Sequence, residues 1–383
     1  EQLEEKRKRE FNWKFPIINK IFGLRTLIKW MYKEGWWYGL GLGVIVTVAF
    51  FIFSHGIGSY ELREDEFQVV NAAAGYYHTG HFYSWDWLNN RPICSDLSNE
   101  SCTYTRAWPH SFLIAQSYKI FGISEWSSRI VSVLFGLIFI ISIYFISKYF
   151  FKNKKFSLLL ILICTFNPFF IGLFRYTRMY AVLLPIFLIL FYLFYRGITE
   201  KNNIHFQPEK LNIFINKYLN FNYFFLIPAL ILLIPNYLVH ISSLIILPIL
   251  FLFIIYLAIF NGERKYIFIC VAGSIISLAL SLIYYFGLTT NFFWFLSFFS
   301  RKNYVYLEYL TQFPFFKELG ILLLSIGLVL LFTNKKIRDK LMYFYLTIGF
   351  SLVFFIWIGD RYAGLLYVSH IVGISIILIL FVY

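Results

Sequence analysis

Long apolar runs, separated by short charged segments, occupy most of the chain after residue 35. A run of about 20 apolar residues is the length at which a helix crosses the ~30 Å hydrocarbon core of a bilayer. The pattern predicts ten spans, near residues 36–55, 126–147, 156–171, 179–195, 222–238, 241–260, 266–286, 317–333, 341–358 and 363–383. The chain is therefore predicted to be an all-α polytopic membrane protein of about ten transmembrane helices.

Two of the apolar stretches are too long to be single spans. Residues 156–195 and 222–260 each run for about 40 residues. At ~1.5 Å per residue each stretch would form ~60 Å of helix, twice the hydrocarbon core. The turn signals are the Asn-Pro pair at 167–168 followed by Arg175 and Arg178, and the Pro-Asn pair at 235–236 before His240. The sequence therefore predicts that each stretch turns back on itself, between the spans 156–171 and 179–195 and between the spans 222–238 and 241–260.

Composition supports the membrane assignment and bears on partners. Only 14% of the residues are charged, against about 25% in a soluble domain. The formal net charge of +14 would suit nucleic acid, but the basic residues are scattered among the apolar runs. Lipid headgroups explain the charge better, so membrane lipids are expected partners and nucleic acid is not.

The basic residues also indicate an orientation. With a cytoplasmic amino terminus, most of the 34 Lys and Arg fall on the inner side, as the positive-inside rule requires. Residues 1–35 then form a cytoplasmic basic segment and residues 36–383 the transmembrane domain, with large outer loops at 56–125 and 287–316. The expected location is the plasma membrane of a prokaryote, with the endoplasmic reticulum membrane as the alternative.

Ionisable residues gather where the spans reach the predicted outer face. Asp65 and Glu66 follow the first span, and Arg175 and Arg178 stand between the third and fourth. A carboxylate pair can hold a divalent cation and act as a general base, and arginine suits phosphate oxygens. A solvated carboxylate pair and arginines that reach lipid headgroups are the alternatives. Charges at one interface, away from the bilayer midplane, favour chemistry on a lipid-linked anionic substrate over transport.

Two cysteines lie in the first predicted outer loop. Cys94 and Cys102 bracket the segment CSDLSNESC. An oxidising compartment would permit a short disulfide between them. Two free thiols are the alternative.

Five stretches on the predicted outer face carry motifs that occur together in one enzyme superfamily. They are DEFQVVNAAAGYYHTGHF (65–82), TRAWPHSFLIAQSYKIFGISEWSSRIVSVLFGL (105–137), FNPFFIGLFRYTRMYAVLLP (166–185), YLVHIS (237–242) and GDRY (359–362). In this order they resemble the GT-C glycosyltransferases, in particular the protein O-mannosyltransferase and aminoarabinose transferase branch. In that branch an Asp-Glu pair opens a juxtamembrane helix that ends at a Thr/Ser-Gly. The resemblance implies a GT-C fold with juxtamembrane helices in the first outer loop.

The resemblance also implies roles for residues at the matching positions. Asp65 is implied as the catalytic carboxylate, with Glu66 as its partner. Implied ligands of the lipid phosphate or the sugar are Arg106, His110, Arg175, Arg178, Tyr180, His240, Arg361 and Tyr362. A divalent cation (Mg, Mn or Zn) held by Asp65 and Glu66 is the one cofactor expected. The segment 106–108 lacks the acidic residue that helps hold a metal in the aminoarabinose transferases.

The function that the resemblance implies is that of a membrane glycosyltransferase. The enzyme would move a mannose-like hexose or an aminopentose from a polyprenyl-phosphate donor to an acceptor hydroxyl at the extracytoplasmic face. Asp65 would act as the base, and a single displacement would invert the anomeric carbon. The acceptor would be a protein, a glycan or a lipid. The alternative is a non-catalytic transporter or binding protein for lipid-linked sugars.

Overall fold

Helices make up most of the chain that the computed structural model describes. The described residues are 35–93, 103–104, 107–201, 213–214, 217–285 and 338–347, without the side chains of 64, 65, 241, 242 and 276–285. The elements in chain order are α1 (Trp36–Ser54), α2 (Glu64–Thr79), β1 (Trp85–Asp86), β2 (Arg91–Pro92), α3 (Trp108–Phe121), α4 (Glu125–Phe151), α5 (Lys154–Phe166), α6 (Pro168–Arg175), α7 (Met179–Thr199), α8 (Tyr223–Val239), α9 (Ile246–Asn261) and α10 (Arg264–Tyr285). A 3-10 helix, Ile241–Ile245, joins α8 to α9, and residues 338–347 are helical.

Several of these helices are long and apolar enough to cross a membrane. Within the described ranges α1, α4, α7 and the segment Ser243–Asn261 qualify, and α5 with α6 is a fifth, bent candidate. The apolar helix α8 is shorter, at 17 residues. The prediction of an all-α polytopic membrane protein is confirmed. The predicted spans at 317–333 and 363–383, and most of the span at 341–358, lie outside the described residues.

The third predicted span is a broken helix rather than a straight one. Asn167 ends α5, and its side-chain oxygen accepts a hydrogen bond from the backbone N–H of Phe169 at 2.9 Å, which caps α6. Pro168 occupies the first turn of α6, where its missing N–H costs nothing. The two helices meet at a bend of 63°. The break before α7 comes at residues 176–178, between the predicted spans 156–171 and 179–195, and the bend at Asn167 lies within the third predicted span.

The second long apolar stretch breaks at His240, between the predicted spans 222–238 and 241–260. Pro228 and Pro235 both lie inside α8, which continues to Val239. Prolines are tolerated within membrane helices because neighbouring groups satisfy the freed backbone carbonyls. The helix ends where His240 adopts an extended conformation.

Two helices that do not span a membrane, α2 and α3, lie between α1 and α4. Helix α2 ends at Gly80, whose positive φ of 78° lets its N–H bond to the carbonyl of Tyr76. The two helices pack together around Val69, Ala73 and Ile114. The short antiparallel hairpin of β1 and β2 lies against α2. The segment between the first two predicted spans thus holds two helices, and their place at the outer membrane face stays a prediction.

The main core lies between α1 and the helices from α4 to α9. Phenylalanine rings join three of these helices, with centroid distances of 5.4 Å for Phe53 and Phe174 and 5.1 Å for Phe139 and Phe174. Gly136 of α4 makes room for this contact, since a Cβ atom there would clash with the rings of Phe53 and Phe174. This packing fixes the end of α6 beside the end of α1. It therefore positions the segment 55–63, which joins α1 to α2.

Candidate functional site

The carboxylate of Glu66 is buried at the point where four chain segments meet. Its Oε1 atom accepts hydrogen bonds from Nε of Arg129 at 3.0 Å and from the backbone N–H of Thr177 at 2.8 Å. Its Oε2 atom accepts from Nη2 of Arg129 at 2.8 Å and from the backbone N–H of Arg63 at 2.9 Å. A carboxylate offers about four lone-pair positions. The acceptor capacity of Glu66 is therefore used entirely within the protein.

The guanidinium of Arg129 is fully buried near the start of α4. Besides Glu66 it donates to three backbone carbonyls, those of Ile57 at 2.6 Å, Tyr60 at 2.8 Å and Glu61 at 2.9 Å. An arginine side chain carries about five N–H donors, and these contacts employ all of them. The Tyr60 ring covers the group, with its centroid 4.2 Å from Cζ. Arg129 thus ties the segment between α1 and α2 to α4.

These contacts decide the ionisation of Glu66. Burial by itself would raise the pKa of the carboxyl, but the hydrogen bonds from Arg129 and from the backbone of Arg63 and Thr177 lower it below its usual value of 4.5. Glu66 is therefore ionised at neutral pH, and it holds the first turn of α2, in which Asp65 is the second residue. The family resemblance implies Glu66 as a catalytic partner and gives no role to Arg129. The feature of the sequence that could have indicated its role is a single arginine near the start of the predicted apolar span 126–147.

Glu66 does not fit its predicted role as a metal ligand. Four N–H donors already occupy its oxygens, so no lone pair remains for a cation. Among the described side chains, no group of three or more His, Cys, Asp or Glu could hold a metal ion. The side chain of Asp65 lies outside the described part of the chain, so its roles as base and ligand stay predictions. No chemical step is therefore assigned to a metal ion.

Arg175 reaches from the end of α6 to the end of α1. Its Nη2 atom donates to the backbone carbonyl of His55 at 2.6 Å. Its own carbonyl accepts from the hydroxyl of Tyr60 at 3.4 Å. The structure therefore places Arg175 beside the same segment that Arg129 holds, and both arginines contact Tyr60.

Three further predicted ligands lie at the same end of the helix bundle. Arg178 precedes α7 and follows Thr177, which donates to Glu66. The rings of Tyr180 and His240 are buried and 5.6 Å apart, which joins the start of α7 to the end of α8. The start of α7 and the end of α8 therefore lie side by side. The contacts of these residues with phosphate or sugar stay predictions.

His110 is buried in the first turn of α3. Neither ring nitrogen has a hydrogen-bond partner in the described part of the chain. Burial lowers the pKa of its imidazole to about 3, so His110 is neutral at physiological pH. Its side chain is fully buried, and its contact with phosphate or sugar stays a prediction.

His110 is expected to make the protein less stable as the pH falls below about 6.5. The pKa of about 3 in the folded protein lies below the ordinary histidine value of 6.5, so the unfolded chain binds the proton first and stability rises with pH across this window. The slope is about 1.4 kcal/mol per pH unit. The measurement is the melting temperature in detergent at pH 7.5 and pH 5. The His110→Leu variant should show a smaller loss, and His81→Asn, which changes an exposed histidine, should behave like the parent. An equal loss in His110→Leu would refute the assignment.

The hairpin beside α2 is held by its own polar contacts. The carboxylate of Asp86 accepts hydrogen bonds from the backbone N–H groups of Leu88 at 3.0 Å and Asn89 at 3.2 Å. The indole N–H of Trp87 donates to the side-chain oxygen of Asn71 on α2 at 2.6 Å. Asp86 therefore stabilises a turn.

The remaining predicted site residues lie outside the described ranges. They are Arg106, Arg361 and Tyr362, with the predicted disulfide cysteines Cys94 and Cys102 and the predicted outer loop 287–316. Their roles stay predictions.

Known proteins resemble both the sequence and the fold. The profile of the dolichyl-phosphate-mannose-protein mannosyltransferase family matches residues 106–261. The crystal structure of ArnT from Cupriavidus metallidurans bound to undecaprenyl phosphate superposes with a TM-score of 0.53 and 14% identity, over 88% of this chain and 59% of that one. The apo structure of the same ArnT gives a TM-score of 0.51 and 15% identity, over 91% of this chain and 59% of that one. No curated protein matches the chain at a significant level.

These likenesses bear mainly on the fold. Identities of 14% and 15% establish a shared architecture and leave activity open. The chain spans about three fifths of the length of the ArnT chain. The match to the family profile covers α3 to α9, which includes Arg129, Thr177 and the break before α7.

Proposed function

Because this chain has the fold of the GT-C glycosyltransferases, we propose that it is a membrane enzyme that transfers a sugar from a polyprenyl-phosphate donor. The acceptor is a hydroxyl of a protein, a glycan or a lipid. The sugar is a mannose-like hexose or an aminopentose. Transfer takes place at the extracytoplasmic face of a prokaryotic plasma membrane, with the amino terminus in the cytoplasm.

One observation supports this proposal most directly, the anchoring of the first turn of α2. The carboxylate of Glu66, third residue of that helix, is held by Arg129 of α4 and by the backbone of Thr177. Asp65 precedes it on the same anchored turn. A catalytic group needs a backbone that does not move by more than a fraction of an ångström during the reaction. The buried network supplies such a support for Asp65.

The proposed reaction is a single displacement at the anomeric carbon. The acceptor hydroxyl oxygen bonds to that carbon while Asp65 accepts the hydroxyl proton. The bond between the anomeric carbon and the donor phosphate oxygen breaks, and polyprenyl phosphate leaves with the electron pair. One displacement inverts the anomeric configuration. Guanidinium groups at the same end of the bundle, such as Arg175 and Arg178, stabilise the charge that accumulates on the leaving phosphate.

The proposal is tested by incubating the purified protein with a panel of polyprenyl-phosphate sugars radiolabelled in the lipid. Release of polyprenyl phosphate is the readout, because it does not require the acceptor to be identified in advance. Crude membrane extract from the source cells, treated to remove lipid-linked sugars, supplies the acceptor. We expect release with one donor of the panel, and the anomeric configuration of the product, measured by NMR, should be inverted.

The alternative function makes a different prediction for the same assay. A non-catalytic transporter or binding protein would retain the intact donor and release no polyprenyl phosphate from it. Binding without release across the whole panel, with acceptor extract present, would therefore reject the transferase. Retention of the anomeric configuration would reject the single displacement and leave the transfer itself in place.

A further inference from the structure

Lysine side chains gather where α4 ends and α5 begins, at the opposite end of α4 from Arg129. Lys152 and Lys155 lie in this turn, and both are exposed. Lys340, in the helical segment 338–347, reaches the same turn, because its Nζ atom donates to the backbone carbonyl of Phe150 at 2.9 Å. Lys152, Lys155 and Lys340 together form a lysine cluster.

The lysine cluster has no carboxylate of its own among the described residues, where none of its three ammonium groups forms an ion pair. Burial and the positive charge of Lys152 both lower the pKa of Lys340, so these two ammonium groups repel each other. The described carboxylates at this end of the bundle already have partners: Glu200 with Arg196, Glu263 with Lys265, and Asp339 with Tyr256 and Asn261. The negative charge that the cluster needs therefore has to come from a ligand.

The backbone of Lys152 adopts a conformation that lysine rarely has. This residue caps the end of α4 with a φ of 57°, in the left-handed region where glycine is the usual residue. A side chain at such a position costs free energy, and strain of this kind is common at functional sites. The Nζ atom of Lys152 lies 4.6 Å from the centroid of the Tyr149 ring, which holds the ammonium in place beside the turn.

Aromatic residues indicate that the lysine cluster lies at a membrane–water interface. Trp36 and Trp37 open α1, and both are exposed. The start of α1 lies beside the start of α5, since the Nζ atom of Lys154 is 5.5 Å from the centroid of the Tyr38 ring. Trp and Tyr concentrate at the level of the lipid headgroups. The lysine cluster, at the start of the same α5, is therefore placed where charged headgroups lie.

We propose that the lysine cluster binds the headgroup of an anionic phospholipid in the leaflet at this end of the bundle. The exposed ammonium groups of Lys152 and Lys155 bind the headgroup phosphate, and its negative charge relieves the repulsion between Lys152 and Lys340. The last carbonyls of α4 oppose an anion, but Lys340 already donates to that of Phe150. The site is at the other end of α4 from the proposed reaction, so the inference does not depend on the proposed function.

The test titrates lipid into the full chain in a maltoside detergent and takes the affinity from the rise in melting temperature. Phosphatidylglycerol has a net negative charge, phosphatidylcholine with the same acyl chains has none, and glycerol phosphate is a soluble anion without a lipid chain. We expect phosphatidylglycerol to bind at least ~10-fold more tightly than phosphatidylcholine, because each lysine at a membrane surface adds to the attraction for anionic lipid. The difference should shrink in ~0.5 M salt. Equal affinity for the two lipids, or equally tight binding of glycerol phosphate, would overturn the proposal.

Two variants of the lysine cluster and one matched control locate the binding. Lys152→Gly should weaken phosphatidylglycerol binding by ~5-fold, while its melting temperature without lipid should equal or exceed that of the parent, since glycine suits the positive φ. Lys155→Gln should weaken binding by a similar factor. Lys119→Gln removes an exposed lysine near the Tyr76 ring, on α3 at the other end of the bundle, and should change the affinity by less than ~2-fold. An unchanged affinity in Lys152→Gly, or an equal loss in Lys119→Gln, would contradict the proposal.

Discussion

Asp65→Asn is expected to lower the rate of sugar transfer by about 10²–10⁴-fold, the usual contribution of a positioned general base. The amide has the shape of the carboxylate but does not accept the hydroxyl proton at neutral pH. The backbone that carries residue 65 should be unaffected, because the Glu66 and Arg129 contacts that hold it remain. The measurement is the initial rate of polyprenyl phosphate release at saturating donor, together with the donor dissociation constant, which should change little.

Asp86→Asn is the matched control for this experiment. It is the same chemical change, and an asparagine oxygen can still accept from the backbone of Leu88 and Asn89 as Asp86 does. We expect this variant to keep the parent rate within a factor of about two, since an exposed turn outside the site contributes little. A fully active Asp65→Asn protein would remove Asp65 from the mechanism. A melting temperature far below that of the parent would instead assign Asp65 a structural role.

Arg129→Met is expected to reduce the free energy of unfolding by about 3–5 kcal/mol, the effect of removing one partner of a buried ion pair. The change leaves the Glu66 carboxylate buried without its counter-ion, and it also leaves the carbonyls of Ile57 and Tyr60 without their donor. Arg129→Lys should recover little, because a lysine ammonium has three donors and lacks the planar fork. The measurement is the melting temperature of detergent-solubilised protein, with fluorescence-detected size exclusion to follow the folded fraction.

A second arginine pair gives the control for this prediction. Glu200 accepts from Arg196 at 2.7 Å, but both side chains of that pair are about a quarter exposed. Glu200→Gln should therefore cost less than about 1 kcal/mol, whereas Glu66→Gln should cost clearly more, because an amide N–H₂ would face the donors of Arg129 and Thr177. If Glu66→Gln and Glu200→Gln both lower the free energy of unfolding by less than about 1 kcal/mol, the contacts of Glu66 do not hold the start of α2 against α4.

The contacts between Glu66 and Arg129 also predict how activity and stability change in the Asp65 and Arg129 variants. Changes at Asp65 act on the reaction and leave the contacts of α2 intact, whereas changes at Arg129 act on the position of α2 and lower activity through it. In Arg129 variants that still fold, transfer should therefore fall together with melting temperature. In Asp65→Asn, transfer should fall while the melting temperature stays at that of the parent.

The amino-acid sequence by itself determined the membrane architecture and most helix ends. Apolar length predicts spans because a helix must be about 20 residues long to cross the hydrocarbon core, and the observed α1, α4 and α7 lie where that rule places them. Local signals also located the end of α2 at Gly80. They did not predict the 63° bend at Asn167 within the third span, because a proline at the first turn of a new helix permits a bend as readily as a straight continuation or a reversal.

Only the tertiary structure decided what the charged residues do. Glu66 pairs with Arg129, 63 residues away, and with the backbone of Thr177, 111 residues away. In the sequence Asp65 and Glu66 are an adjacent pair of equivalent carboxylates, and no local pattern assigns Glu66 to a buried contact. Arg175 likewise contacts the carbonyl of His55, 120 residues away along the chain. Apolar length acts along one helix and can be read from its residues, whereas burial, ion pairing and lone-pair occupancy arise only when distant helix ends are packed together.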